Sequence, residues 1–176
     1  MNYIIPIGQT VELNPAEYCF CQEFGKIRLA KDRKAGLKNP NFDPVNSVRH
    51  YVVGIAAELT FCKLLNIYPK PVFDCEPGNT NGHIWVNGKL IEIKGTHYDN
   101  PRFLLNSGKS KATWPHEFVL VKGPVLPGEK PRNVTMTFCG SIAAEIIFNR
   151  KPQNPGDGSS CYIANPEELK DFFALP

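Results

Sequence analysis

Glu92, Lys94 and His83 are the residues of this chain whose types and spacing could do chemistry. They lie in the run Asn81-Gly82-His83-Ile84-Trp85-Val86-Asn87-Gly88-Lys89-Leu90-Ile91-Glu92-Ile93-Lys94, two β-rich segments joined by Asn-Gly. Asn-Gly between alternating apolar residues is a strong hairpin signal, because both turn positions need positive φ. A two-residue loop at Asn87 and Gly88 pairs Val86 with Lys89, Trp85 with Leu90, Ile84 with Ile91, His83 with Glu92 and Asn81 with Lys94. Side chains alternate along a strand, so Asn81, His83, Glu92 and Lys94 share one face of the sheet. An imidazole opposite a carboxylate, with an amine two residues along, suits a catalytic or metal-binding site better than a simple core.

Hydrolysis of a phosphodiester requires a hard cation to neutralise developing charge, a nucleophilic water and a basic or cationic group beside it. Glu92 offers a carboxylate oxygen to Mg²⁺ or Mn²⁺, and Lys94 an amine to orient or deprotonate the water. Glu58 is a second acid. It falls within a helical apolar stripe, three residues after Ile55 and four before Cys62, and a carboxylate there needs a partner. No Gly-rich dinucleotide loop is present, which argues against hydride chemistry. Spacing alone carries little, since Glu168-Leu169-Lys170 repeats the Glu-x-Lys pattern where a helix would point the two side chains about 200° apart. Structural alternatives stand beside each residue: a solvent-facing salt pair for Glu92 and Lys94, an imidazole simply hydrogen-bonded to Glu92 for His83, and a buried pair with Lys94 or Arg49 for Glu58. His50, His97 and His116 read as ordinary surface or loop residues, although His97 follows the site strand closely.

The elements that must position these residues follow from periodicity and breakers. A short strand near Tyr3 to Ile7 precedes a helix from about Pro15 to Ala35, and a clearer helix runs from about Val45 to Leu65 with Val48, Tyr51, Val52, Ile55, Leu59, Cys62 and Leu65 three and four apart. Short strands are expected at Pro69 to Phe73 and Phe103 to Leu105, better ones at Glu117 to Lys122 and Val134 to Cys139. Helices are expected at Ser141 to Phe148 and from Asn165 onward. Strands mixed with helices, without regular βα alternation, give an α/β or α+β chain with a mixed sheet.

At 176 residues, with 42% hydrophobic and 21% charged, the chain can bury the core of one domain. Its net charge of +3 is too small to demand a polyanion, but Lys26, Arg28, Lys31, Arg33, Lys34 and Lys38 crowd one segment, either a solvated helix face or a phosphate-facing one. The six cysteines show no Cys-x-x-Cys spacing, which argues against structural zinc. No leader pattern and no stretch of membrane-spanning length is seen, so the expectation is a cytoplasmic protein with no membrane partner.

The order of these features resembles the PD-(D/E)xK nuclease superfamily, in particular its small phage and mobile-element members. The resemblance rests on Gly54-Ile55-Ala56-Ala57-Glu58-Leu59-Thr60-Phe61 on the helix, Gly82-His83-Ile84-Trp85-Val86 on the first hairpin strand and Ile91-Glu92-Ile93-Lys94-Gly95 on the second. Phe118 to Val121 and Val134 to Ile142 fall where related sequences carry a strand and a strand leading into a helix. It implies a single α/β domain with a central mixed sheet flanked by helices, a restriction-endonuclease-like core of about residues 45–165, an N-terminal extension over 1–44 and a C-terminal helix over 166–176. It implies a hydrolase, an endonuclease cleaving DNA with Mg²⁺ or Mn²⁺ in a bacterial or phage-infected cell. Glu58, Glu92 and Lys94 would be catalytic, and His83, Glu92 and Glu58 the metal ligands. Lys109 and Lys111 would contact nucleic acid, solvated loop charge being the alternative. The family's hairpin Asp is His83 here. Imidazole suits Mn²⁺, Fe²⁺ or Zn²⁺ and is a poor ligand for Mg²⁺. Either the metal preference has moved, or Asp74 or Glu76 supplies the acid, or catalysis has been lost and the fold serves as a module binding nucleic acid or a protein such as a host defence complex.

Overall fold

Asn87 and Gly88 take φ of 48° and 77°, the two left-handed conformations that a two-residue hairpin turn needs. The turn joins β3 (Gly82–Val86) to β4 (Lys89–Thr96), antiparallel, with Val86 opposite Lys89, Trp85 opposite Leu90, Ile84 opposite Ile91 and His83 opposite Glu92. That is the register expected from the alternation. The computed structural model describes residues 3–36, 44–67, 82–106, 114–124, 132–154 and 160–174. Asn81, the expected strand at 69–73, Asp74, Glu76, Lys109 and Lys111 lie outside the described residues.

On its other side β4 pairs in parallel with β6 (Glu117–Lys122), which sets Glu92 beside Phe118 and Lys94 beside Leu120. β7 (Val134–Ala143) runs antiparallel to β6, and β2 (Thr10–Leu13) antiparallel to β7, giving a five-stranded mixed sheet in the order β2-β7-β6-β4-β3. Two helices form a layer on one face. α1 (Pro15–Lys34) opens with a reciprocal cap, Asn14 Oδ1 accepting from the Glu17 N–H at 3.0 Å and the Glu17 carboxylate from the Asn14 N–H at 2.8 Å. α2 (Pro44–Leu64) turns Val52, Ile55, Leu59 and Cys62 inward. These join Ile91, Ile93, Val119, Val121 and Phe138 in the main core.

The opposite face of the sheet is covered in part by a ribbon of β5 (Phe103–Asn106) with β8 (Cys161–Ala164) and by the short α3 (Ala144–Phe148). There Phe118, Leu120 and Ile142 meet Phe103, Leu105, Ile147 and Tyr162 in a second core. β1 (Tyr3–Ile5) pairs with β9 (Phe172–Ala174) in a separate two-stranded sheet. The chain is thus α/β with a mixed sheet between two covering layers. Among the described residues no helix is long and apolar enough to cross a membrane.

The N-terminal segment packs on the rest of the chain, β2 as a strand of the main sheet and α1 as half of the helical layer. Two elements depart from the sequence expectation. The helix expected from Ser141 starts only at Ala144, because β7 continues to Ala143 through a bulge. At that bulge the register slips between Leu120 and Val121, and Gly140 takes φ of 131°. The extra residue reverses the alternation, so Phe138 enters the main core and Ile142 the second. The expected C-terminal helix is a 3₁₀ turn at Pro166–Glu168 followed by β9. Asn165 and Glu168 do form the reciprocal cap, but Lys170 is held by two backbone hydrogen bonds to Ser141, at 2.8 and 2.9 Å, which draw the chain into an extended path.

Gly140 is doubly constrained, since a Cβ there would lie 2.6 Å from the Leu169 Cβ. Gly140→Ala is expected to cost about 2–4 kcal/mol of stability by urea unfolding. An unchanged midpoint would mean that the bulge relaxes freely.

Candidate active site

Strand alternation divides β4 sharply. Ile91 and Ile93 face α2, whereas Glu92 and Lys94 face the other way, in line with Phe118 and Leu120. Glu92 is only 3% exposed, and its Oε1 is in contact with the Lys94 Nζ. This is not the solvent-screened pair of the structural alternative, because a carboxylate withdrawn from water needs the neighbouring cation far more than an exposed one does. Lys94 itself stays partly exposed, just past the last described β3 pairing, Gly82 opposite Ile93. It borders two concavities. One, of about 630 Å³, is walled by Thr96, Tyr98, Asp99, Arg102 and Leu104. The other, of about 250 Å³, is walled by Arg28, His50, Tyr51, Gly54 and Glu58 from the helices. In the larger one Lys122 donates to Asp99 at 2.9 Å and holds that carboxyl below the usual carboxylate range.

Glu58 is 2% exposed on α2, lines the smaller concavity together with Lys94, and receives both arms of Arg28: Nη1 donates to Oε1 at 3.0 Å and Nη2 to Oε2 at 3.2 Å. Arg28 is thus a partner of the kind that its position demanded. Its signal was in the sequence, because Arg28 continues the buried stripe Tyr18, Cys21, Gly25, Leu29 and Asp32 at helical spacing. The basic run on α1 is thus not wholly a solvated face. The same helix pair is tightened where Gly25 meets Val52, a Cβ on Gly25 falling 2.8 Å from Val52 Cγ2, and where the Tyr51 hydroxyl donates to Asp32. Burial, then the hydrogen bond to Asp32, pushes the Tyr51 phenol up. Burial, then the Glu58 charge, pushes the Cys21 and Cys62 thiols up to about 12.

Two histidines that looked ordinary in the sequence gather beside Lys94. The His50 ring on α2 lies 5.8 Å from that of His97, which in turn lies 4.3 Å from Tyr98. Burial, then the neighbouring His97, lowers the His50 pKa. Their meeting depends on the docking of α2 across the end of β4, where Gly95 lets the Val53 backbone approach, so no local pattern marks it. His116 serves the sheet instead. Its Nδ1 accepts from the Leu90 N–H at 2.9 Å and its own backbone N–H donates to the Leu90 carbonyl at 2.7 Å, extending the ladder beside β4.

Among the described residues no three His, Cys, Asp or Glu side chains stand together as metal ligands. Glu92 is the carboxylate donor on the site face, with His83 opposite it in register. Mg²⁺ is often held by one or two carboxylates, the remaining positions being filled by water and substrate phosphate, so this donor set fits a substrate-assisted cation and not a closed protein cage. Comparison with protein-family models, with curated proteins and with solved structures finds no match.

Arg28→Met is expected to lower stability by about 3–5 kcal/mol by removing the bidentate partner of the buried Glu58 charge, and the double variant Arg28→Met/Glu58→Leu to recover most of that loss. Denaturant unfolding measures both, and a single variant as stable as the parent would show that the pair is solvated. Raised thiol pKa values set a second expectation. Between about pH 9 and about 12 the unfolded chain loses protons from Cys21 and Cys62 that the folded chain keeps, so stability falls as pH rises through that window. Replacing both by Ala should make the fall shallower, and an unaltered slope would assign it to other groups.

Proposed function

We propose that this chain is a divalent-metal-dependent nuclease with a restriction-endonuclease-like core, acting on DNA. The observation that carries the reading is the buried Glu92 in contact with Lys94 on one hairpin strand, at the edge of a groove large enough for a phosphodiester. The strand order around it, an antiparallel β3–β4 hairpin continued in parallel by β6, is compatible with such a core.

Glu92, with His83 across the hairpin, would hold the cation. A bound divalent ion supplies neutralisation of the phosphate and activation of water. Lys94 supplies the cationic, proton-handling group: Glu92 pins its ammonium at the groove edge, where it can hydrogen-bond a water or a non-bridging phosphate oxygen. Arg102, on the groove wall, adds a second cation for the flanking phosphate. Glu58 is structural in this scheme, anchoring α1 to α2 through Arg28. A second reading, a nuclease fold that binds nucleic acid or a protein without cleaving, is favoured by the pairing of Glu58 with Arg28 and by His83 in the place of the expected Asp.

Cleavage of plasmid and single-stranded DNA with Mg²⁺, Mn²⁺ or Zn²⁺ separates the two. Nicking should fall by roughly 10²-fold or more in Lys94→Ala and Glu92→Gln, and His83→Asp should move the preference from Mn²⁺ toward Mg²⁺. Absence of cleavage with every metal, together with no heat of metal binding, would sink the enzyme reading and leave the binding module.

A further inference from the structure

The face of the hairpin that carries Glu92 and Lys94 is bordered at both ends by exposed aromatic rings. Trp85 pairs with Leu90 and so stands one same-face step from Glu92. It is 66% exposed, with its ring centroid 6.2 Å from that of His116, which is itself fixed to the Leu90 backbone. Beyond the other end of β4, Tyr98 is 61% exposed, lies against His97 at an interplanar angle of 31°, and lines the larger groove together with Lys94 and Arg102. The strand between Leu90 and Thr96 spans about 20 Å. Cations accompany the rings: Lys94 in the middle and Arg102 on the groove wall.

A single exposed aromatic residue is ordinary on a protein surface. Two of them flanking one strand face, with Lys94 between them and the candidate site at the centre, make the surface that a single nucleic-acid strand needs. Unpaired bases stack on aromatic rings irrespective of sequence, while the phosphates meet the cations. The bases of a continuous duplex are stacked on one another and present no face to such rings. We propose that this track binds single-stranded or locally unpaired nucleic acid, with bases stacked on Trp85 and Tyr98 and the intervening phosphate at Lys94. The proposal rests on the nuclease reading and names its substrate class.

The test is a binding measurement in EDTA, where no cleavage can occur. The anisotropy of fluorescein-labelled oligothymidylate, and of a labelled duplex of equal length, is followed as protein is added. Trp85→Ala and Tyr98→Ala should each weaken oligothymidylate binding roughly ten-fold while leaving the weaker duplex binding unchanged. Trp85→Phe keeps a ring and should retain most of the affinity, which separates loss of stacking from loss of fold. Single-strand binding unaffected by both alanine variants, or equal losses on single strand and duplex, would overturn the proposal and leave the rings to a protein contact. Set beside the cleavage assay with metal, the outcomes separate the two readings: tight Trp85-dependent binding by a protein that cleaves with no metal defeats the nuclease and keeps the track, whereas metal-dependent cleavage without such binding does the reverse.

Discussion

Strand β4 is apolar on one face and polar on the other, and a one-residue slip in its pairing would exchange the two, driving Glu92 and Lys94 against α2 and turning Ile91 and Ile93 outward. Such a slip is blocked from both sides. The Asn87-Gly88 turn sets the register with β3, and the burial of Ile91, Ile93, Val119 and Val121 against one helix layer sets it with β6. Whatever chemistry the site performs inherits its geometry from this alternation, because Glu92 is withdrawn from water only while its neighbours in sequence are in the core.

The helix layer solves a different problem. A pair of helices held by apolar contacts alone can slide by a turn at modest cost, whereas a bidentate Arg28–Glu58 pair has one geometry and leaves a buried charge in any other. Gly25 against Val52, and Asp32 with Tyr51, lie along the same seam. The seam positions α2, and α2 positions the close contact of Val53 with Gly95 directly beyond Lys94. A carboxylate that resembles a catalytic residue in the sequence thus also orders the helix layer, in a concavity that it shares with Lys94.

The parts of this arrangement that were legible in the sequence are those decided within a few residues. The hairpin and its register follow from Asn87, Gly88 and a period of two, and α2 follows from a stripe that needs only its own spacing. Glu58 announced a need for a partner but not which one, since Arg28 is thirty residues away and any of several cations would satisfy the same rule. The approach of His50 to His97, the Gly140 bulge and the diversion of residues 166–174 into a strand are all set by contacts between distant segments. In the last case the local cap is present and is overruled by the hold of Ser141 on Lys170. Trp85 was legible as a residue but not as a platform, because exposure depends on which part of the sheet the β5–β8 ribbon leaves uncovered.

The edge position of β2 bears on how this molecule comes together. It is the first strand of the main sheet to be synthesised, yet its neighbour β7 begins more than a hundred residues later, whereas α1 and α2 adjoin in sequence and β3 and β4 close locally. Loop-closure entropy makes the distant pairing slow relative to the local ones. During synthesis β2 must therefore wait, tethered to the start of α1, with its backbone groups served by water. A nascent chain halted before residue 134 would hold the hairpin with Glu92 and Lys94 but neither β7 nor the α3 and β8 residues that cover the Glu92 face, so the burial of Glu92 is completed only as the fold closes.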